Sequence, residues 1–82
     1  MAGTGGLGQA GGVERVPVES SCLAAVGYDP ADGALELEFT SGSVYRYLAV
    51  PEDVHRGLLA AESLGRYFHA WIRDRYEYRR IG

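Results

Sequence analysis

Arginine and aromatic residues interleave twice in this chain, as Tyr45-Arg46-Tyr47 and again as Arg66, Arg73, Tyr76, Tyr78, Arg79 and Arg80. Guanidinium forks beside π-faces are the groups that bind single-stranded nucleic acid: the cation meets a phosphate, and each stacked base contributes about 1–3 kcal/mol. Nucleophilic chemistry has less support. Ser20, Ser21, Cys22, His55, His69 and several carboxylates supply its residue types, but no spacing among them forms a nucleophile elbow or a Cys-His signature. One cysteine and two distant histidines likewise make no metal set, which needs three or four convergent ligands. The expectation is a non-catalytic binding module with no cofactor, no metal and no evident small-molecule substrate.

Charge places the binding surface near the C-terminus. The net charge of −3 opposes polyanion binding by the chain as a whole, yet residues 1–62 hold three arginines against nine acids, while residues 63–82 hold five arginines against Asp74 and Glu77. There is no lysine. On an ideal helix Arg66, His69 and Arg73 share one face, which Tyr76, Tyr78, Arg79 and Arg80 extend. If three or four of these arginines meet phosphates of a single strand, log K should fall with log salt at a slope of about −2 to −3.

The elements that position these groups follow from pattern. Eighty-two residues make one domain, and a chain of this size buries only about 60% of its unfolded surface, so stability is expected to be modest. Lone Cys22 leaves no intrachain disulfide, and with no signal-like start and no apolar run near the ~20 residues that span a bilayer, a soluble cytoplasmic protein is expected. Residues 1–12 are half glycine and are read as a disordered leader. Within it Gly3-Thr4-Gly5-Gly6-Leu7-Gly8 matches the dinucleotide-binding pattern but lacks the strand and helix that give the pattern meaning.

Order is expected from about Arg15-Val16-Pro17-Val18, followed by strands over Cys22–Tyr28 and Ala34–Phe39 and a third, after Gly42, that carries Tyr45-Arg46-Tyr47. A three-residue loop closed by Gly42 would set Tyr45 opposite Leu37 and Tyr47 opposite Leu35, with both rings on the apolar face and Arg46 outward beside Glu36 and Glu38. A two-residue Ser41-Gly42 turn would instead expose both rings, so the pair reads either as core or as a stacking platform. Pro51 opens a helix running to about Ala61, and Ser63 caps a second in which Leu64, Phe68, Trp71 and Ile72 form the buried face. Arg75 would fall within that stripe, so the helix should end near Arg73 or Asp74 and leave an extended C-terminal tail. The architecture predicted is α+β: a three- to four-stranded antiparallel meander with two helices on one face.

In this order Val18-x-Ser20-Ser21, Val26-Gly27-Tyr28-Asp29, Leu35-x-Leu37-x-Phe39, Gly42-x-x-Tyr45-x-Tyr47, Val50-Pro51, Ala61-x-Ser63-x-Gly65-x-Tyr67-Phe68, Ile72-Arg73 and Tyr76-x-Tyr78-Arg79 resemble the KTSC domain over residues 14–82. The Tyr-x-Tyr motif is central to the resemblance. That family is named for an appendage at the C-terminus of some lysyl-tRNA synthetases and also occurs alone in small bacterial and phage proteins. The synthetase context implies RNA, either tRNA or single-stranded RNA, as partner, and no catalytic residues carry over. His69 stands where the family often has asparagine. The rival reading is a protein-interaction or self-association module that uses an edge strand or the sheet face bearing Glu36, Glu38 and Arg46.

Overall fold

A computed structural model describes residues 13–82; the glycine-rich leader and its nucleotide-like motif lie outside the described residues. Five strands form one antiparallel sheet in sequence order: β1 (Val16–Pro17), β2 (Leu23–Asp29), β3 (Ala34–Phe39), β4 (Val44–Tyr47) and β5 (Tyr78–Arg80). Helix α1 (Glu52–Ala60) and a second helical segment, α2 (Leu64–Tyr67), connect β4 to β5. The expected three to four strands are thus five. The lead-in at Val16 pairs with Val26, and the supposed tail returns as β5 to complete the hydrogen bonding of β4. Both additions satisfy edge groups that a bare meander would leave open.

The β3–β4 loop takes the three-residue form. Phe39 N–H donates to Ser43 O, and Gly42 N–H to Phe39 O, each at 2.8 Å, with Gly42 at φ 100°. Leu37 therefore faces Tyr45 and Leu35 faces Tyr47. These residues join Leu23 and Val26 on the sheet's inner face, against Val50, Leu58, Phe68 and Ile72 from the helical layer.

Ser63 caps α2 by accepting from Arg66 N–H at 3.2 Å. Pro51, expected inside the first turn of α1, instead occupies the cap position in extended geometry. The largest departure follows α2, where the chain continues into a π-helical turn over Phe68–Ile72, closed by Arg73 N–H donating to Phe68 O. Hydrogen bonding to the fifth residue back turns each residue through less than an α-helix does. Phe68 and Ile72, four apart, stay aligned on the core, whereas Trp71 is carried outward to 54% exposure. There it lies against Tyr67, and the Arg75 guanidinium sits 5.5 Å from its ring centre.

The outer face is not the open charged surface that alternation alone implies. Glu36 is completely buried, gripped by Arg15 Nη1 at 2.7 Å and by Arg46 Nε and Nη2 at 2.9 and 2.6 Å. Residues 13–15 reach this position by crossing Gly27, where a Cβ would lie 2.5 Å from the Glu14 carbonyl oxygen. Arg15 and Arg46 side chains keep 31% and 25% of their surface in solvent, while Glu36 keeps none. The carboxylate consequently depends on the arginines more than they depend on it. Arg46→Met is expected to lower the free energy of unfolding by about 3 kcal/mol, and Glu36→Gln by only about 1–2 kcal/mol, in urea titrations; the opposite ranking would disprove this asymmetry.

Candidate nucleic-acid interface

Cross-strand pairing sets the geometry of the site. Tyr47 pairs with Tyr78, and Tyr45 with Arg80, so three phenols and a guanidinium share the inner face at the β4–β5 edge. The Tyr78 ring centre lies 5.4 Å from those of both Tyr45 and Tyr47. Phe39 meets Tyr45 edge-on at 5.8 Å, and Phe68 meets Tyr47 edge-on at 5.8 Å. Together these rings line a cleft of about 370 Å³ whose remaining lining is Ser41, Ser43, Arg73 and Asp74.

The end of the π turn supplies the polar rim. Asp74 adopts φ 64°, a left-handed conformation that aspartate tolerates better than most residues, and the chain reverses there toward β5. Arg73 Nη1 lies 3.3 Å from His69 Nδ1, while its Nε is 4.0 Å from Asp74 Oδ2, too long for a hydrogen bond. Tyr47 is buried to 5% exposure, and burial foremost, then the neighbouring phenols of Tyr78 and Tyr45, pushes its pKa up to about 12. Arg73 opposes that shift and Asp74 adds to it. Tyr47 thus remains an O–H donor throughout the neutral range. Such a site can stack a planar group and offer its edge a hydroxyl donor and a carboxylate acceptor.

The model of the KTSC domain matches residues 19–76. The chain belongs to the KTSC domain family. It is 39% identical to a KTSC domain protein from Yersinia pestis whose crystal structure superposes with a TM-score of 0.83, covering 87% of this chain and all of that one. A protein from Stutzerimonas stutzeri, described as uncharacterized, is 49% identical over 70 residues, 84% of this chain and 99% of that protein. A lysine–tRNA ligase from Nostoc sp. matches over 63 residues at 41% identity; this segment is 77% of the chain and 11% of the ligase.

Several KTSC-like residues prove to be joints of the fold. The Tyr28 hydroxyl donates to Val50 O, tying β2 to the start of α1, and its ring stacks on His55 with centres 4.6 Å apart. Gly65 lets α2 approach β2, since a Cβ there would lie 2.7 Å from Cys22 Sγ. Tyr45 and Tyr47 lie on the inner face, as the three-residue loop requires: Tyr47 is buried, Tyr45 half-buried, and both line the cleft.

The residues singled out in the sequence do not form one surface. Tyr45, Tyr47, Tyr78 and Arg73 converge on the cleft, with Arg80 beside them. Arg79 pairs across from Arg46 and so faces the opposite side of the sheet. Arg66 lines a separate groove with Tyr67 and Trp71, and Tyr76 packs partly into the core. The helical stripe joining Arg66 to Arg73 is broken by the π turn. Sequence reasoning missed Phe39, Phe68 and Asp74 as site residues. Alternation already aligned Phe39 with Leu37, and an aspartate at a helix end carries a left-handed signal.

Because the folded-state pKa of Tyr47 exceeds the ordinary phenol value, its contribution to stability is complete below about pH 10 and is lost as pH rises toward about 12. Absorbance titration of the folded protein should show a tyrosine step near the upper end of that window, absent from Tyr47→Phe. Titration of every phenol near pH 10 while the fold persists would refute the burial account.

Proposed function

We propose that this protein is a small, non-catalytic RNA-binding module that holds single-stranded RNA over the aromatic cleft. The observation that carries the reading is the convergence of Tyr45, Tyr47 and Tyr78 on one open cleft with Arg73 at its rim. Bases stack on such rings irrespective of sequence, and guanidinium groups at the margin meet the flanking phosphates. Arg80, on the same sheet face as Tyr45, is the second cation within reach of a strand crossing the site. The similarity of this chain to a segment of a lysine–tRNA ligase, a protein named for its action on tRNA, supports RNA as the polymer. The rival protein-interaction reading drew on an acidic outer face, and that support weakens because Glu36 is enclosed by Arg15 and Arg46.

Only two arginines flank the cleft, so the salt dependence should be shallower than the charge of the whole C-terminal quarter implies. For two phosphates on a single strand the slope of log K against log salt is about −1.4. Tyr78→Ala, at an exposed edge position, should weaken binding of a labelled single-stranded RNA by about 5- to 150-fold, whereas Arg79→Ala and Arg66→Ala should leave it within about two-fold. Fluorescence anisotropy at two salt concentrations measures all of these. Absence of binding at low salt, or equal losses in the Arg79 and Tyr78 variants, would defeat the proposal.

A further inference from the structure

We infer that the cleft is a guanine-reading subsite, in which an unpaired guanine of the RNA stacks on the tyrosines and presents its Watson–Crick edge to the Tyr47 hydroxyl and the Asp74 carboxylate. This inference rests on the RNA-binding reading above and adds the identity of the base.

Size and ring spacing limit the occupant first. A cavity of about 370 Å³ lies at the small end of ligand sites, which run from about 300 to 1,000 Å³, so it admits one nucleotide rather than a stack. The tyrosine rings already touch, with centres 5.4 Å apart. A base sandwiched between two rings needs about 7 Å, twice the contact distance of carbon atoms. The base therefore lies over the rings, and its edge is free to reach the cleft's polar groups.

Neither of those polar groups is held in a hydrogen bond among the described residues. Tyr47 lines the cleft, and its hydroxyl has no hydrogen-bond partner among the described residues. A phenol O–H is therefore available to donate to an acceptor that an occupant brings. Asp74 stands at the exposed rim of the cleft, its side chain 87% exposed, and beyond a long ion pair with Arg73 at 4.0 Å it makes no hydrogen bond among the described residues. An ionised carboxylate only accepts, and its two oxygens can take two adjacent N–H groups.

A donor beside a double acceptor selects among the bases. Guanine presents a carbonyl acceptor next to two N–H donors, which satisfies Tyr47 once and Asp74 twice. On the same edge adenine presents an amino donor beside one ring-nitrogen acceptor, and cytosine an amino donor beside a ring-nitrogen and a carbonyl acceptor, so each fills only one carboxylate oxygen. Uracil flanks its single N–H with two carbonyl oxygens, one of which would oppose the carboxylate. The expected order is guanine first, cytosine and adenine next, uracil last.

The test uses the full chain and four labelled RNA pentamers, uridines with guanine, adenine, cytosine or uracil at the centre, read by fluorescence anisotropy. Wild type should bind the guanine pentamer about ten-fold more tightly than the all-uridine one. Asp74→Asn keeps a residue suited to the left-handed backbone, and should reduce that preference to about two-fold while circular dichroism is unchanged; Tyr47→Phe should reduce it similarly. Salt-dependent binding of all four pentamers with equal affinity would overturn the guanine assignment and leave the RNA reading standing. A guanine preference that survives both substitutions would overturn the assignment to these residues. Free guanosine monophosphate binding as tightly as the guanine pentamer would support the base assignment while overturning RNA as the ligand, and binding of no probe would overturn both.

Discussion

The buried carboxylate of Glu36 fixes the relationship between the two faces of the sheet. It can be satisfied only if Arg46 lies directly across from it on β4 and Arg15 is drawn over the outer face by the crossing at Gly27. A one-residue slip of β4 would carry Arg46 into the apolar interior and leave Glu36 enclosed with half its partners. That cost is of the order of several kcal/mol for an uncompensated buried charge. The same slip would put Tyr45 and Tyr47 on the outer face. The ion pairs on one side of the sheet therefore hold the aromatic cleft on the other, although no residue of the clamp touches the cleft.

Helix geometry then determines that the cleft stays open. Leu58 of α1 and Phe68 and Ile72 of the π turn fill the centre of the inner face, and the helical layer ends at Asp74. A continuing α-helix would have laid Arg75 and the following turn across β4. Instead the chain reverses in the left-handed region and adds β5 at the edge, which contributes the Tyr78 ring and leaves the space above it uncovered. π turns recur at functional sites because the inserted residue rotates side chains out of the helical register. Here the rotation leaves Phe68 in the cleft wall, places Arg73 at its rim and carries Trp71 to the outside.

What was legible in the sequence was local. Alternation on either side of Gly42 marked the central hairpin and left two turn lengths open, of which the three-residue loop carries the observed register, and Ser63 marked its helix by a side-chain oxygen three residues from the amide it caps. The parts that escaped depend on distant partners. Tyr78–Arg80 is short, exposed and strongly polar, and becomes a strand only because β4 offers it an unpaired edge. Burial of Glu36 needs Arg15, twenty-one residues earlier, so period-two reasoning placed it correctly on the outer face and still misjudged its surroundings. Trp71 was read as core by a 3.6-residue period that the π turn does not follow. The cleft assembles residues from β3, β4, β5 and the end of the helical layer, and no sequence window contains them all.

If the cleft binds RNA as proposed, the balance of charge around it favours a reader of single bases over a general polyanion binder. Net charge is −3, and of the eight arginines two are spent on Glu36 and one is paired with Asp53. Arg73 and Arg80 are the cations on the cleft side, too few to grip a duplex whose charges are spaced about 1.7 Å along the axis. Affinity in such a site must come from ring stacking and from the polar edge of the base, both of which require the base to be unpaired. An acidic body surrounding a narrow aromatic cleft then favours selectivity. On the proposed function, a duplex or folded polyphosphate surface would be repelled, while one exposed base in a loop or single strand would meet rings, a hydroxyl and a carboxylate within a space of its own size.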